Sequence, residues 1–257
     1  MEFSLALPME FIIALRDSGF DEIYRSMDEL LLVFRLYKVG YIMFDHFLIK
    51  DLDSKEEYSS LYDFATSLVY KYEFEQNEIL KFNNFRKSIK EKKGYNNIFY
   101  KFSLKHFLSG GNKRFSYRIE NLERIIDYII ALEALFLIDG NRYFLRRTIS
   151  KRISNFLKID NTDKIIKYVY DERSRIVHGN YIILSENKKE EKIKKLKCHM
   201  PLFEELLREI FTKIFDYTFS SREKLIKFMK ELYDIPEECI KVMESAKKEA
   251  EKYFLMD

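Results

Sequence analysis

Cysteine is almost missing from this chain of 257 residues: it has only Cys198 and Cys239, far apart and with no C-x-x-C spacing. That pattern excludes a disulfide framework, signals no zinc site and fits a reducing cytoplasm. Glycine and proline are also scarce, at 7 and 3 residues. With few breakers and abundant Leu, Ile, Lys and Glu, the chain should form long helices joined by short polar loops, so the expected fold class is mainly all-α. Nowhere does an apolar run reach the roughly 18 residues that a membrane-spanning helix needs. The apolar start from Met1 to Phe11 contains Glu2, Pro8 and Glu10 and has no basic leader, so export is not expected. P-loop, dinucleotide fingerprint and metal-ligand spacing are all lacking, and no cofactor is expected. Neither sign of charge dominates, with 45 Lys and Arg against 42 Asp and Glu for a net +3. Any affinity for nucleic acid must therefore come from local clustering of charge rather than from a global field.

What is present suits a folded domain with decorations: 47% hydrophobic and 34% charged residues, on a chain long enough to bury a sizeable core. Ile23, Met27, Leu30, Leu31, Phe34 and Tyr37 form a helical stripe that Gly40 could end. Tyr41 to Ile49 is rich in β-formers and reads as a strand, although Tyr41, Phe44, Phe47 and Leu48 would also serve one face of a helix. After a polar break, helices are expected from Tyr58 to about Lys71 and from Phe74 to Lys93, the second closed by Gly94. A helix from Asn96 to about Leu108 leads into a loop, Ser109-Gly110-Gly111-Asn112, and a long helix from Ser116 to Ile138 stops at Asp139-Gly140-Asn141. A basic helix from Arg142 to Leu157 follows, then a turn at Asp160-Asn161-Thr162 and a helix from Asp163 to His178, with Gly179 suited to a left-handed C-cap. Ser185 to Lys197, dense in lysine and glutamate, reads as a mobile loop or frayed helix before a helix from Pro201 to about Tyr217. Capping boxes pairing Ser220 with Glu223 and Asp234 with Glu237 start two C-terminal helices, expected to form a hairpin.

The segment Tyr170-Asp171-Glu172-Arg173-Ser174-Arg175-Ile176-Val177-His178-Gly179 carries the most chemistry. Ile166, Tyr170, Arg173 and Val177 share a face, so Arg173 interrupts a stripe that should meet a core or a partner. An unpaired buried guanidinium would cost several kcal/mol, so either a carboxylate satisfies Arg173 or it lines a wet cleft that receives an anion. Glu133, set in Ala-Leu-Glu-Ala-Leu, is a second charge in an apolar helix and the candidate partner. Among the four histidines, His46, His106, His178 and His199, only His178 follows an arginine at this spacing. A lone helix-terminal histidine often merely caps carbonyls; here it stands beside an anomalous arginine. Arg142, Arg146, Arg147, Lys151 and Arg152 crowd one helix and could track a phosphate backbone or form a solvated face.

Arg173 and His178, with four residues between them, resemble the R-x4-6-H signature of the HEPN superfamily. Phe102-Ser103-Leu104-Lys105-His106-Phe107, the run from Asn121 to Phe136, and Tyr170 to Gly179 look like the ordered blocks of its Apea-like branch. The resemblance spans residues 96–217 and divides the chain into an N-terminal accessory region (1–95), a HEPN-like helical bundle (96–217) and a C-terminal helical extension (218–257). It implies a cytoplasmic, homodimeric, metal-independent endoribonuclease of prokaryotic defence or stress, open to a regulator or activator. In that family Arg173 would bind the scissile phosphate and His178 would act as general acid or base; Ser174 fills the slot after the arginine where related motifs often carry a polar residue and could touch substrate or merely bond its own helix, and Glu133 is either a structural ion-pair partner of Arg173 or the carboxylate that orients it in support. Arg173 and His178 project roughly 140° apart on an ideal helix, which makes a single motif a poor clamp; the resemblance implies two motif helices side by side across a two-fold axis, so that paired Arg and His residues share one cleft. Some HEPN toxins carry a tyrosine two residues after the histidine; here that residue is Asn180 and Tyr181 comes one place later, which argues against control by tyrosine modification. The competing expectation is a catalytically silent HEPN module that dimerises or binds RNA or protein. A small-molecule sensor has no positive support in the sequence.

Overall fold

A computed structural model describes residues 20–38, 46–50, 57–61, 76–112, 122–140 and 143–254. Its described part is a helical bundle with one short hairpin. Helix α1 (Phe20–Tyr37) buries Leu30, Val33 and Phe34 against Phe82 of α2 (Ile79–Lys90), where the Phe34 and Phe82 rings stack at 4.2 Å. The same helix sends Leu32 and Leu36 into the main core. Arg35 and Leu36 are tied to that core through Arg35 Nη1 donating to Leu108 O (2.5 Å) and Arg208 Nη1 donating to Leu36 O (3.2 Å). Strand β1 (His46–Lys50) pairs antiparallel with β2 (Glu57–Leu61), Leu48 opposite Ser59. A lone strand would leave its amides and carbonyls unpaired, so the expected strand recruits the segment just after the polar break. The helix expected to begin at Tyr58 therefore does not begin there, and its remainder lies outside the described residues.

The main core is built around α4 (Glu123–Phe136), whose Ile125, Ile129, Ala131, Leu132, Leu135 and Phe136 are all fully buried. Helix α3 (Lys101–Asn112) lies along it and continues through the four residues expected to form a loop. Gly110 and Gly111 are there for close approach: a Cβ would stand 2.6 Å from the Tyr128 ring at Gly110 and would collide with the Arg35 guanidinium at Gly111. Helices α5 (Leu145–Leu157) and α6 (Thr162–Val177) pack beside α4, joined by a turn in which Lys158 and Asn161 take positive φ.

Helix α7 (Glu186–Ile214) runs unbroken for 29 residues, with Pro201 inside it. The stretch expected to be a loop or frayed end belongs to this helix because its apolar side is continuous. Ile193 and Leu196 are buried in line with Met200, Phe203, Leu207, Ile210 and Ile214. An interior proline costs about 3 kcal/mol. Each buried Leu, Ile or Phe returns about 1.5–3 kcal/mol, so the stripe outweighs the proline. Helix α8 (Arg222–Leu232) is capped by Ser221, which accepts from Lys224 N, one residue later than the expected box, and it buries Leu225 and Met229. Helix α9 (Glu237–Phe254) leaves residues 241–246 exposed, so of the two C-terminal helices α8 is the one seated on the bundle. No helix among the described residues is long and apolar enough to cross a membrane.

Arg152 corrects one expectation. It is 0% exposed and cannot track a phosphate backbone. Its guanidinium grips Asp139 with both Nη atoms (3.1 and 2.6 Å) and donates to Phe136 O and Tyr233 O, sewing the end of α4 and the chain after α8 onto α5. Arg152→Ala would take the guanidinium away from the Asp139 carboxylate and two backbone carbonyls and should lower stability by about 3–5 kcal/mol, measured by urea unfolding. A loss under about 1 kcal/mol would show that this junction does not hold the bundle together.

Candidate functional site

Helix α6 buries Thr162, Ile166, Val169 and Glu172, a line spaced by three and four residues. This line is turned from the expected stripe. Ile166 is shared, whereas Tyr170 and Arg173 are half-buried beside α4, and Val177 is 49% exposed past the end of the contact. The most deeply buried charge on the helix is thus Glu172 rather than Arg173.

Arg173 and Glu133 do face each other. Nη2 stands 3.8 Å from Oε2, and both side chains keep about a quarter of their surface open, at 24% and 23%. Glu133 is held from the other side by Tyr170, whose hydroxyl donates to Oε1 at 2.9 Å. This is a loose ion pair. The Arg173 Nε is buried and finds no hydrogen-bond acceptor among the described residues, so the guanidinium is oriented but not saturated. A planar fork with donors left over suits an oxyanion.

His178 closes α6 as its C-cap, its backbone N–H reaching Ser174 O at 3.0 Å. Gly179 follows at φ +70, and a pair of bonds completes a Schellman cap: Gly179 N to Ile176 O (3.1 Å) and Asn180 N to Arg175 O (2.9 Å). The His178 side chain is exposed, with no hydrogen bond or ion pair among the described residues. Close to it in sequence are exposed apolar side chains, Val177, Ile182 (73%) and Ile183 (82%). No contact joins the Arg173 and His178 side chains within the chain. The Ser174 hydroxyl also makes no hydrogen bond among the described residues, leaving its expected support without a visible contact.

The basic helix divides into different roles. Arg146 donates from Nη1 to both carboxylate oxygens of Asp171 on α6, at 2.8 and 2.7 Å. Arg147 is exposed, and Lys151 is half-buried within electrostatic reach of Asp163. With Arg152 buried, Arg147 and Lys151 are the described cations of this helix left for an external anion; Arg142, like Arg114 and Arg118 in the preceding segment, lies outside the described residues.

Sequence reasoning missed two parts of the site. Glu172 is 3% exposed; its Oε1 takes Arg175 and its Oε2 takes the Tyr181 hydroxyl at 2.5 Å. The signal for Glu172 was its place three residues after Val169 and six after Ile166; no local pattern marks Tyr181. A separate cluster joins α3 to α4, where Asp127 receives His106 Nδ1 (2.9 Å) and Ser109 Oγ (2.8 Å). No protein-family model, curated protein or solved structure matches the chain.

Several tyrosines here are held protonated. Burial first, and then the charge of Glu133 or Glu172, pushes the Tyr170 and Tyr181 hydroxyls well above their ordinary range. Tyr168, beside Glu172, is pushed up to about 12, again mainly by burial. A folded-state value above the unfolded value of about 10 gives stability that is complete below that pH and lost as pH rises through the folded value. Unfolding free energy should therefore fall between about pH 10 and 12, and less steeply in Tyr170→Phe and Tyr181→Phe. Urea titrations across that window check this; an unaltered slope in both variants would contradict it.

Proposed function

We propose that the protein is a metal-independent endoribonuclease of HEPN type, working as a homodimer whose facing motif helices form one composite site. The observation that carries this reading is the contrast along α6. Asp171 and Glu172 are satisfied by partners. Arg173 is only loosely paired, and His178 is exposed with no side-chain partner among the described residues. A histidine kept merely as a cap would be covered or hydrogen-bonded. An arginine kept merely for structure would spend its fork on Glu133.

The chemistry follows from those two groups. One histidine takes the proton of a ribose 2′-hydroxyl, whose oxygen attacks the adjacent phosphorus while the bond to the 5′-oxygen breaks. A second histidine gives that oxygen a proton. The arginine forks stabilise charge on the equatorial oxygens as the pentavalent phosphate forms. Since one chain offers a single His178, projecting roughly 140° from Arg173, the second acid–base group and a facing arginine come from another copy. The exposed apolar residues Val177, Ile182 and Ile183 beside His178 give such a contact something to bury. The products are a 2′,3′-cyclic phosphate and a 5′-hydroxyl. Arg147 and Lys151 are the cations placed to steady the RNA backbone. A cytoplasmic role in prokaryotic defence or stress goes with this reading and rests on the family resemblance alone.

The test is cleavage of a labelled single-stranded RNA pool in excess EDTA, with mass followed by light scattering. Wild type should yield cyclic-phosphate ends. His178→Ala should lose about 10²-fold or more in rate while remaining dimeric, and Arg173→Ala should also be slowed. Uncut RNA with a well-folded, dimeric wild type would favour the catalytically silent binding module.

A further inference from the structure

We infer that Tyr181 is a positioning residue: by donating to the buried Glu172 carboxylate it closes the chain around His178 and fixes where that imidazole stands. The inference rests on the reading of His178 as an acid–base group, and it begins from a topological fact. From residue 172 to 181 the chain makes a closed circuit. One side is the last turn of α6 and its cap, with His178 N, Gly179 N and Asn180 N bonded back to Ser174, Ile176 and Arg175 carbonyls. The other side is the Tyr181 to Glu172 hydrogen bond. His178 lies inside that circuit, three residues before its closing point, and its own ring makes no hydrogen bond or ion pair among the described residues.

The closing bond is hard to open. Tyr181 is 1% exposed and Glu172 is 3% exposed. Arg175 occupies one carboxylate oxygen, so the Tyr181 hydroxyl is the donor that satisfies the other. Pulling Tyr181 away would strand a buried carboxylate oxygen, the costly side of a buried polar pair. The Lys192 ammonium of α7 sits over the Tyr181 ring, 5.8 Å from its centroid, so the next helix backs the same side chain. A helix end is otherwise where a helix frays first. Here the turn after the motif is bolted to the core one residue beyond the cap. With no side-chain hydrogen bond to the His178 ring among the described residues, the backbone beneath it is what fixes its position.

Tyr181→Phe keeps the ring and its packing and removes the bond. Its kcat for RNA cleavage should fall by about 10-fold or more with KM within about two-fold of wild type, since misplacing a reacting group acts on the chemical step. The second readout needs no nuclease activity: the His178 imidazole Cε1–H NMR signal, assigned with His178→Gln, should be single and sharp in wild type and broadened or split in Tyr181→Phe. If Tyr181→Phe does not fold, Glu172→Gln carries both measurements, because it weakens the same bond while leaving an acceptor in place. A variant with wild-type kcat and an unchanged, sharp His178 signal overturns the inference. A wild type that cuts no RNA removes the enzymatic reading alone, and the NMR signal then decides whether Tyr181 holds His178.

Discussion

The bundle depends on how α4 is buried. This helix is apolar on nearly every side, yet it carries Arg124, Asp127 and Glu133 into an interior where an unpaired charge would be costly. Each of the three finds its answer on a different neighbour. Arg124 Nε reaches Glu204 of α7 at 3.1 Å, with the Tyr128 hydroxyl donating to the same carboxylate. Asp127 receives His106 and Ser109 of α3. Glu133 receives Tyr170 and faces Arg173 of α6. Hydrophobic contact brings these helices together without specifying which turn meets which; a polar pair at 3 Å tolerates no sliding by a turn. Burial pushes Glu204 above the usual carboxylate range, and the Arg124 charge beside it pulls the other way, which is the tension expected of a charge held in place by a partner.

The same constraint sets the character of the site. Arg124 is 3% and Asp127 6% exposed, whereas Glu133 lies at the rim of the core. Its pairing with Arg173 is correspondingly long, and a partly open ion pair aims the arginine without saturating its donors. Helix α6 is then pinned on its remaining sides by Arg146 gripping Asp171 and by Glu172 gripping Tyr181. Three consecutive charged residues thus do three different things. Asp171 ties α6 to α5, Glu172 anchors the following turn, and Arg173 faces Glu133 of α4 at the rim of the core. Rigid placement of the helix with unsaturated groups at its edge is what a recognition or catalytic surface requires.

Much of the fold was legible because helix-forming patterns are local. Scarce glycine and proline announced helices, and the turn before α6 and the glycine after it follow from neighbouring residues alone. The failures share a cause: each depended on a distant partner. Ser109 to Asn112 reads as a loop until Tyr128 and Arg35 are seen to need the space that a Cβ at Gly110 or Gly111 would fill. Lysine and glutamate from 186 to 197 read as frayed until Ile193 and Leu196 are placed in the core stripe of α7. Arg152 reads as one of a basic run until Asp139 and two carbonyls close on it. At the site, the pairing of Arg173 with Glu133 was readable because each is a charge inside an apolar pattern, and both patterns are local. Glu172 and Tyr181 were not, because a tyrosine in a turn has no period to betray what it touches.

The geometry of α6 also limits what a single chain can do. Arg173 faces α4 and His178 ends the helix, with roughly 140° between their directions. A substrate phosphate seated on Arg173 would not lie under His178 of the same chain unless the last turn unwound, and the Schellman cap with its Tyr181 anchor opposes that. The rigidity that places each group well therefore separates them; in the homodimer we propose, a second helix brought alongside would resolve the conflict. Two such helices crossing near their C-terminal ends would set each histidine beside the other chain's arginine, with Val177, Ile182 and Ile183 covered in the contact. On that proposal the loose pairing of Arg173 and the unbonded His178 ring have one explanation, which is that each would be completed by the second copy.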